Sequence, residues 1–291
     1  MLTETAASDL FRSAPHQMLD MGPGCGAVAH RVVGSGPDVL FVHGWPVHGA
    51  TFRRLLPHMV DHVTCHVIDL PGAGSSRYDE STDLSIRNHI ASVRTTVDQL
   101  GLDSVALVGH DSGGLISRHA MAGDGRLRAM GLIDTETSSG LTWRFTSFVR
   151  GGKLPGFGAA FGWIAGKPAV RRTKFLLGDT FADRTHLDGE FDEFFLDPLS
   201  RGDEVLAASI KLLRSFDFDD VDRLEEVQAK IDVPVRLVWG AEDRFFPVAT
   251  ARRMVKDFPN ADLVEIPGAG LFSHEEAPAD VAAALLPTLT V

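Results

Sequence analysis

The segment Ser104-Val-Ala-Leu-Val-Gly-His-Asp-Ser-Gly-Gly114 constrains this chain more than any other. An apolar run of strand length enters a turn of small residues and continues as helical sequence, which reads as a buried strand, an abrupt turn and a helix. Such an elbow strains the backbone of its apex residue and leaves room for only small side chains two places before and two places after it. With Asp111 at the apex those places hold Gly109 and Gly113; with Ser112 there they hold His110 and Gly114, and the imidazole would clash. The spacing therefore makes Asp111 the nucleophile candidate and Ser112 its neighbour. The bland alternative is a glycine-rich turn whose Asp only caps the helix.

The rest of the chain agrees with such a strand-turn-helix unit. Apolar runs of strand length at Ala27 to Val33, Val39 to His43, His62 to Leu70, Ser104 to Gly109, Ala129 to Asp134, Val235 to Gly240 and Leu263 to Ile266 alternate with stretches of helical period. That alternation predicts an α/β fold, a mostly parallel sheet covered by helices on both faces. The clearest helix carries Ile86, Ile90, Val93, Val97 and Leu100 at spacings of three and four and stops at Gly101. Another, Val248 to Phe258, follows Pro247. The alternation breaks between about Thr135 and Phe216, where ten of the 18 Phe and two of the four Trp lie. Short helices around Thr142 to Arg150, Gly156 to Ala165 and Val205 to Phe216 make this an inserted helical cap, residues 137–216, on a core formed by 1–136 and 217–291.

Composition excludes several classes of partner. A net charge of −11 repels a phosphate backbone, so nucleic acid is not expected. The apolar stretch Leu154 to Gly166 is 13 residues with four Gly and one Pro, short of the ~20 needed to span a bilayer. The start, with Glu4 and Asp9, does not read as a signal peptide, so a cytoplasmic location and no membrane partner are expected. Cys25 and Cys65 lack metal-ligand spacing and read as small buried apolar groups. No metal or cofactor is expected, and the chain should act as a monomer or homodimer.

Four motifs in order, His43-Gly-Trp-Pro46, Asp69-Leu-Pro-Gly-Ala-Gly-Ser75, Gly109-His-Asp-Ser-Gly113 and Gly240-Ala-Glu-Asp-Arg-Phe-Phe-Pro247, resemble the α/β-hydrolase superfamily along nearly the whole chain. The elbow Asp resembles the branch of haloalkane dehalogenases, haloacid-type dehalogenases and epoxide hydrolases. The resemblance implies the α/β-hydrolase fold and an oxyanion hole from the backbone N–H groups of Trp45 and Ser112. The Trp45 indole N–H is a further donor for a departing halide, or packs beneath the cap. Asp243 matches the acid that orients a histidine base, with Glu136 as the backup acid. His43 and His110 match motif positions whose usual role is structural.

The base departs from the pattern. The position that usually holds the catalytic His is Leu271, within Gly268-Ala-Gly-Leu-Phe-Ser-His-Glu-Glu-Ala-Pro278. His274 is the nearest replacement and is expected to reach Asp243 or Glu136; another imidazole or carboxylate, or no effective base, are the alternatives. Tyr78, the single Tyr, falls outside the cap, so the cap tyrosines of epoxide hydrolases are missing, and Ser112 stands where dehalogenases usually carry Trp or Arg. The expected activity is a dehalogenase-like hydrolase that attacks an sp3 carbon of a small apolar organic substrate through an Asp111 alkyl ester. Its pocket would be built from Trp45, Trp143, Trp163 and several Phe. An epoxide hydrolase is the alternative, as is an impaired hydrolase fold that binds a ligand, and an esterase using Ser112 is a third option that His110 disfavours.

Overall fold

The computed structural model describes residues 2–138, 140–174, 176–202 and 204–291. Eight strands among them form one sheet in the order β1-β2-β4-β3-β5-β6-β7-β8. They are β1 Gln17–Asp20, β2 Ala27–Gly34, β3 Asp38–Val42, β4 Thr64–Asp69, β5 Val105–His110, β6 Leu127–Ile133, β7 Val235–Gly240 and β8 Ala261–Ile266. The pairs β1–β2 and β2–β4 are antiparallel, and every pairing from β4 to β8 is parallel. The central strands read as continuous apolar runs because both of their faces are covered; Val39 to Val42 and Val105 to Val108 are fully buried.

All seven strands expected from sequence are present, with ends shifted by a few residues. Strand β1 and the first helix, α1 Glu4–Arg12, both lie in the polar leader, where the sequence predicts no element. Helix α2, Ile86–Leu100, starts on a Ser85 side chain that accepts the Asn88 N–H and ends at Gly101 in the left-handed region, φ 63°. Cys65 is buried and its thiol is pushed up to about 12, whereas Cys25, in the loop between β1 and β2, is only half-buried.

Helix α3, Ser112–Met121, and the final helix, Pro278–Leu289, cover opposite faces of the sheet. A Cβ on Gly109 of β5 would meet the backbone of α3, while one on Gly131 of β6 would meet Leu285 of the final helix and Val108. Between β6 and β7 the described residues form no strand. They include helix α4 Trp143–Gly152, helix α5 Phe157–Ala165 and the helix Glu204–Ser215, close to the three helices expected there. Their buried side is aromatic: Phe145 of α4, Phe161 of α5 and Phe216, just past the third helix, are all buried, and the Trp45 ring packs on Phe148 and Phe161 with centroids 5.1 and 5.2 Å away.

Candidate active site

Strand β5 ends at His110, α3 begins at Ser112, and Asp111 joins them with φ 51° and ψ −134°. A non-glycine residue there is strained by about 1–3 kcal/mol and persists only where its surroundings over-determine it. Those surroundings are close. A Cβ on Gly113 would lie 2.2 Å from the Val42 carbonyl oxygen, and one on Gly109 would lie 2.6 Å from the Gly113 carbonyl oxygen. Asp111, not Ser112, is therefore the apex of the elbow, and its carbonyl accepts the Gly114 N–H at 2.8 Å rather than its side chain capping α3.

The Asp111 carboxyl is 7% exposed, and its Oδ2 accepts the Trp45 backbone N–H at 2.8 Å. The neighbouring Ser112 backbone N–H also favours the ionised form of this carboxyl. The carboxyl presses on the backbone after β3: a Cβ on Gly44 would come within 2.4 Å of Asp111 Oδ2. Burial pushes Asp111 well above the usual carboxylate range, the charge of Glu136 adds to this, and the two N–H donors oppose it.

Glu136, fully buried, is raised by burial against the pull of its own backbone N–H, Arg118 and Thr135. Thr135 Oγ1 lies 2.9 Å from Glu136 Oε2, and Oε1 has no hydrogen-bond partner. Arg118 Nη2 donates to Thr135 Oγ1 at 3.0 Å and to the Glu136 carbonyl at 2.8 Å. Asp243 sits in the turn after β7, where Oδ1 accepts the Phe245 and Phe246 N–H groups at 2.7 and 3.0 Å. Its Oδ2 has no partner, and burial raises the group to about 7. Asp134, not singled out from sequence, joins this cluster at φ 39°, with one oxygen on the Gly240 N–H at 2.7 Å and the other on the Ser273 hydroxyl. Its place at the end of a predicted strand, in line with the Asp111 elbow, was the available signal.

The expectation for His274 is corrected. Its Nε2 pairs with Thr51 Oγ1 at 2.8 Å, its Nδ1 has no partner, and its ring packs on Phe52 and His110 with centroids 5.5 and 4.4 Å away. It reaches neither Asp243 nor Glu136, because the short helix Ser273–Glu276 turns it into the core between the elbow strand and the Thr51 loop. Burial holds it well below the usual histidine range. His110 pairs with the Leu271 carbonyl at 3.0 Å, and His43 with the Gly44 carbonyl at 2.9 Å and the Leu70 N–H at 3.0 Å; burial lowers them to about 3 and about 4. None of the three histidines bonds to a carboxylate in the site.

Above Asp111 lies a cavity of about 330 Å³, lined by Trp45, Ser112, Glu136, Leu271 and side chains of the inserted helices such as Phe148 and Leu213. Leu271 thus occupies its wall. Trp143 lines the cavity at its rim, 65% exposed. Trp163 is corrected: it does not line the cavity and is 57% exposed, since α5 turns Phe157 and Phe161 inward instead. Of the two roles open to the Trp45 indole, the structure shows the packing one: its ring lies against Phe148 and Phe161, and its N–H donates to the Ser209 carbonyl of the helix Glu204–Ser215 at 2.8 Å and is not free for a halide. Among the described residues no group of three or more His, Cys, Asp or Glu is arranged to hold a metal ion, and no helix is long and apolar enough to cross a membrane.

A profile described as "Alpha/beta hydrolase family" matches residues 39–284. The chain is 26% identical over 245 residues to a pimeloyl-[acyl-carrier protein] methyl ester esterase of Xanthomonas campestris pv. campestris, covering 82% of this chain and 89% of that protein. Its fold is similar to the epoxide hydrolase CorEH, with a TM-score of 0.77, 20% identity and coverage of 94% of this chain and 98% of that one. It is similar too to the haloalkane dehalogenase DbeA of Bradyrhizobium elkani USDA94, with a TM-score of 0.74, 20% identity and coverage of 94% and 96%.

Proposed function

The chain belongs to the alpha/beta hydrolase family, and within it we propose a hydrolase that attacks an sp3 carbon of a small apolar substrate through an alkyl ester on Asp111. The observation that carries this is a carboxyl at the strained apex, held by the Trp45 N–H, beneath an aromatic and aliphatic cavity. An Asp111 oxygen bonds to the substrate carbon as the bond to the leaving group breaks, and the leaving group takes the electron pair. Water then adds to the Asp111 carboxyl carbon, and the oxyanion falls on donors that already hold the carboxyl. Residues 137–216 act as the cap that supplies the apolar wall.

Single turnover in H₂¹⁸O tests the reading. Label should enter the Asp111 carboxyl and the unlabelled Asp111 oxygen should leave in the product, and Asp111→Asn should abolish both. If Asp111→Asn keeps full turnover while Ser112→Ala loses it, the protein is a serine esterase and the reading fails. Leu271 in the cavity wall favours one second reading, a ligand-binding protein that alkylates slowly or not at all. Tight binding of apolar ligands with neither adduct nor turnover would establish it.

A further inference from the structure

No histidine beside the elbow meets a carboxylate, yet hydrolysis of an Asp111 ester needs a proton acceptor. We propose that Glu136 is both the proton donor and the proton acceptor of the Asp111 reaction, and that the leaving group it protonates is an oxygen, which makes the substrate an apolar epoxide. The proposal rests on the Asp111 reading above.

Glu136 and Asp111 line the same cavity. The two oxygens of Glu136 differ. The Thr135 hydroxyl lies 2.9 Å from Glu136 Oε2 and 2.7 Å from the Asp111 carbonyl oxygen, so it ties Oε2 to the elbow. Oε1, fully buried and without a partner, is left as the oxygen where a proton enters and leaves. Asp134 and Asp243 are the other carboxyls of the cluster, and Arg118, which bonds to Thr135 and the Glu136 backbone, is the cation beside it. Two buried carboxyls facing one cavity favour the state with one proton over the state with both ionised, and the charge of Glu136 raises Asp111 accordingly. One ionised and one protonated carboxyl are what nucleophilic attack with protonation of a leaving oxygen requires, and two-carboxyl glycosidases use that division of labour.

The leaving group follows from the donors. A halide leaves as an anion and needs N–H donors, but the Trp45 indole is spent on Ser209 and Arg144, the guanidinium of the cavity lining, is paired with Asp179. An epoxide oxygen needs a proton, and Tyr78 does not line the cavity to give one. In the first step an Asp111 oxygen bonds to an epoxide carbon, the ring C–O bond breaks, and its oxygen takes the Glu136 proton. In the second, ionised Glu136 takes a proton from water and the hydroxide adds to the Asp111 carboxyl carbon. The tetrahedral species expels the alkoxide, which takes the proton of the new carboxyl, so that a diol leaves and Asp111 is again ionised beside protonated Glu136.

The test compares wild type, Glu136→Gln and Asp111→Asn with styrene oxide and with benzyl bromide, whose leaving group needs no proton. Wild type should convert styrene oxide to its diol. Glu136→Gln should open it about 10²–10⁴-fold more slowly, form the benzyl ester on Asp111 at close to the wild-type rate, and release that ester about 10²–10⁴-fold more slowly. A merely structural role would not separate ester formation from ester release. Wild-type rates of epoxide opening in Glu136→Gln, or catalytic bromide release by a wild type inert to epoxide, overturn the proposal while leaving Asp111 in place. Turnover by Asp111→Asn overturns the Asp111 reading itself. Should Glu136→Gln fail to fold, Glu136→Asp carries the test: a carboxyl drawn back by one methylene slows both steps, and unchanged rates overturn the proposal.

Discussion

Replacing Asp243 by Asn removes a charge that the folded protein resists. The carboxyl has an ordinary value of 3.8 and is raised to about 7 by burial in the turn after β7. At about 1.4 kcal/mol per pH unit, that difference amounts to about 4 kcal/mol. Below the ordinary value the group is neutral in both states and contributes nothing. Between 3.8 and about 7 the unfolded chain ionises while the folded protein does not, so stability falls as pH rises; above that the loss is complete. Asparagine keeps an oxygen for the Phe245 and Phe246 N–H groups and never ionises. Its amide takes the place of the unpartnered Oδ2, a cost independent of pH. Scanning calorimetry from pH 4 to pH 9 at fixed ionic strength should therefore show Asp243→Asn gaining about 4 kcal/mol on wild type across the range, roughly 7 °C in Tm for a chain of this length. A difference that does not change with pH would refute the argument.

Gly113→Ala should prevent soluble folding, because its Cβ would meet the Val42 and His43 carbonyl oxygens at 2.2 and 2.5 Å, whereas Gly125→Ala, with open space around it, should shift urea-unfolding stability by less than about 1 kcal/mol. Equal stabilities would refute the packing reading. Arg31→Met should cost about 3–5 kcal/mol in the same assay, since it strands buried Asp69, whose Oδ2 lies 2.9 Å from Arg31 Nη1; a cost under about 1 kcal/mol would show that the Gly49 and Ser75 N–H groups suffice. Leu271→His in the Glu136→Gln background should recover at least about tenfold of benzyl-ester release, with Asp243→Asn cancelling the recovery; no recovery would show that position 271 does not serve Asp111.

The elbow was legible because its determinants are steric and local. Two glycines four residues apart fix the apex, and the backbone collisions at Gly109 and Gly113 are what their spacing implied. The buried parallel strands were legible for a similar reason, since apolar runs between turn residues leave few other options. Helix α1 was not legible although Ala7 and Phe11 lie four apart on its buried side; a nine-residue helix in a polar leader gives a weak periodic signal. Trp163 was misplaced because α5 is apolar nearly all round, so its sequence does not say which side faces the cavity. The partners of His274 and of the Trp45 indole, Thr51 and Ser209, lie 223 and 164 residues away in sequence, and such pairings are decided only when the sheet and the inserted helices have assembled.

Trp45 joins two events that could have been separate. Its backbone N–H steadies the Asp111 carboxyl while its indole N–H holds the Ser209 carbonyl, so one residue spans the distance between the reacting group and the helix that roofs it. Were that helix displaced, it would either release the indole or pull on the segment after β3 that carries the amide. The hold on the carboxyl and the position of the roof would then change together, because both hang on one residue.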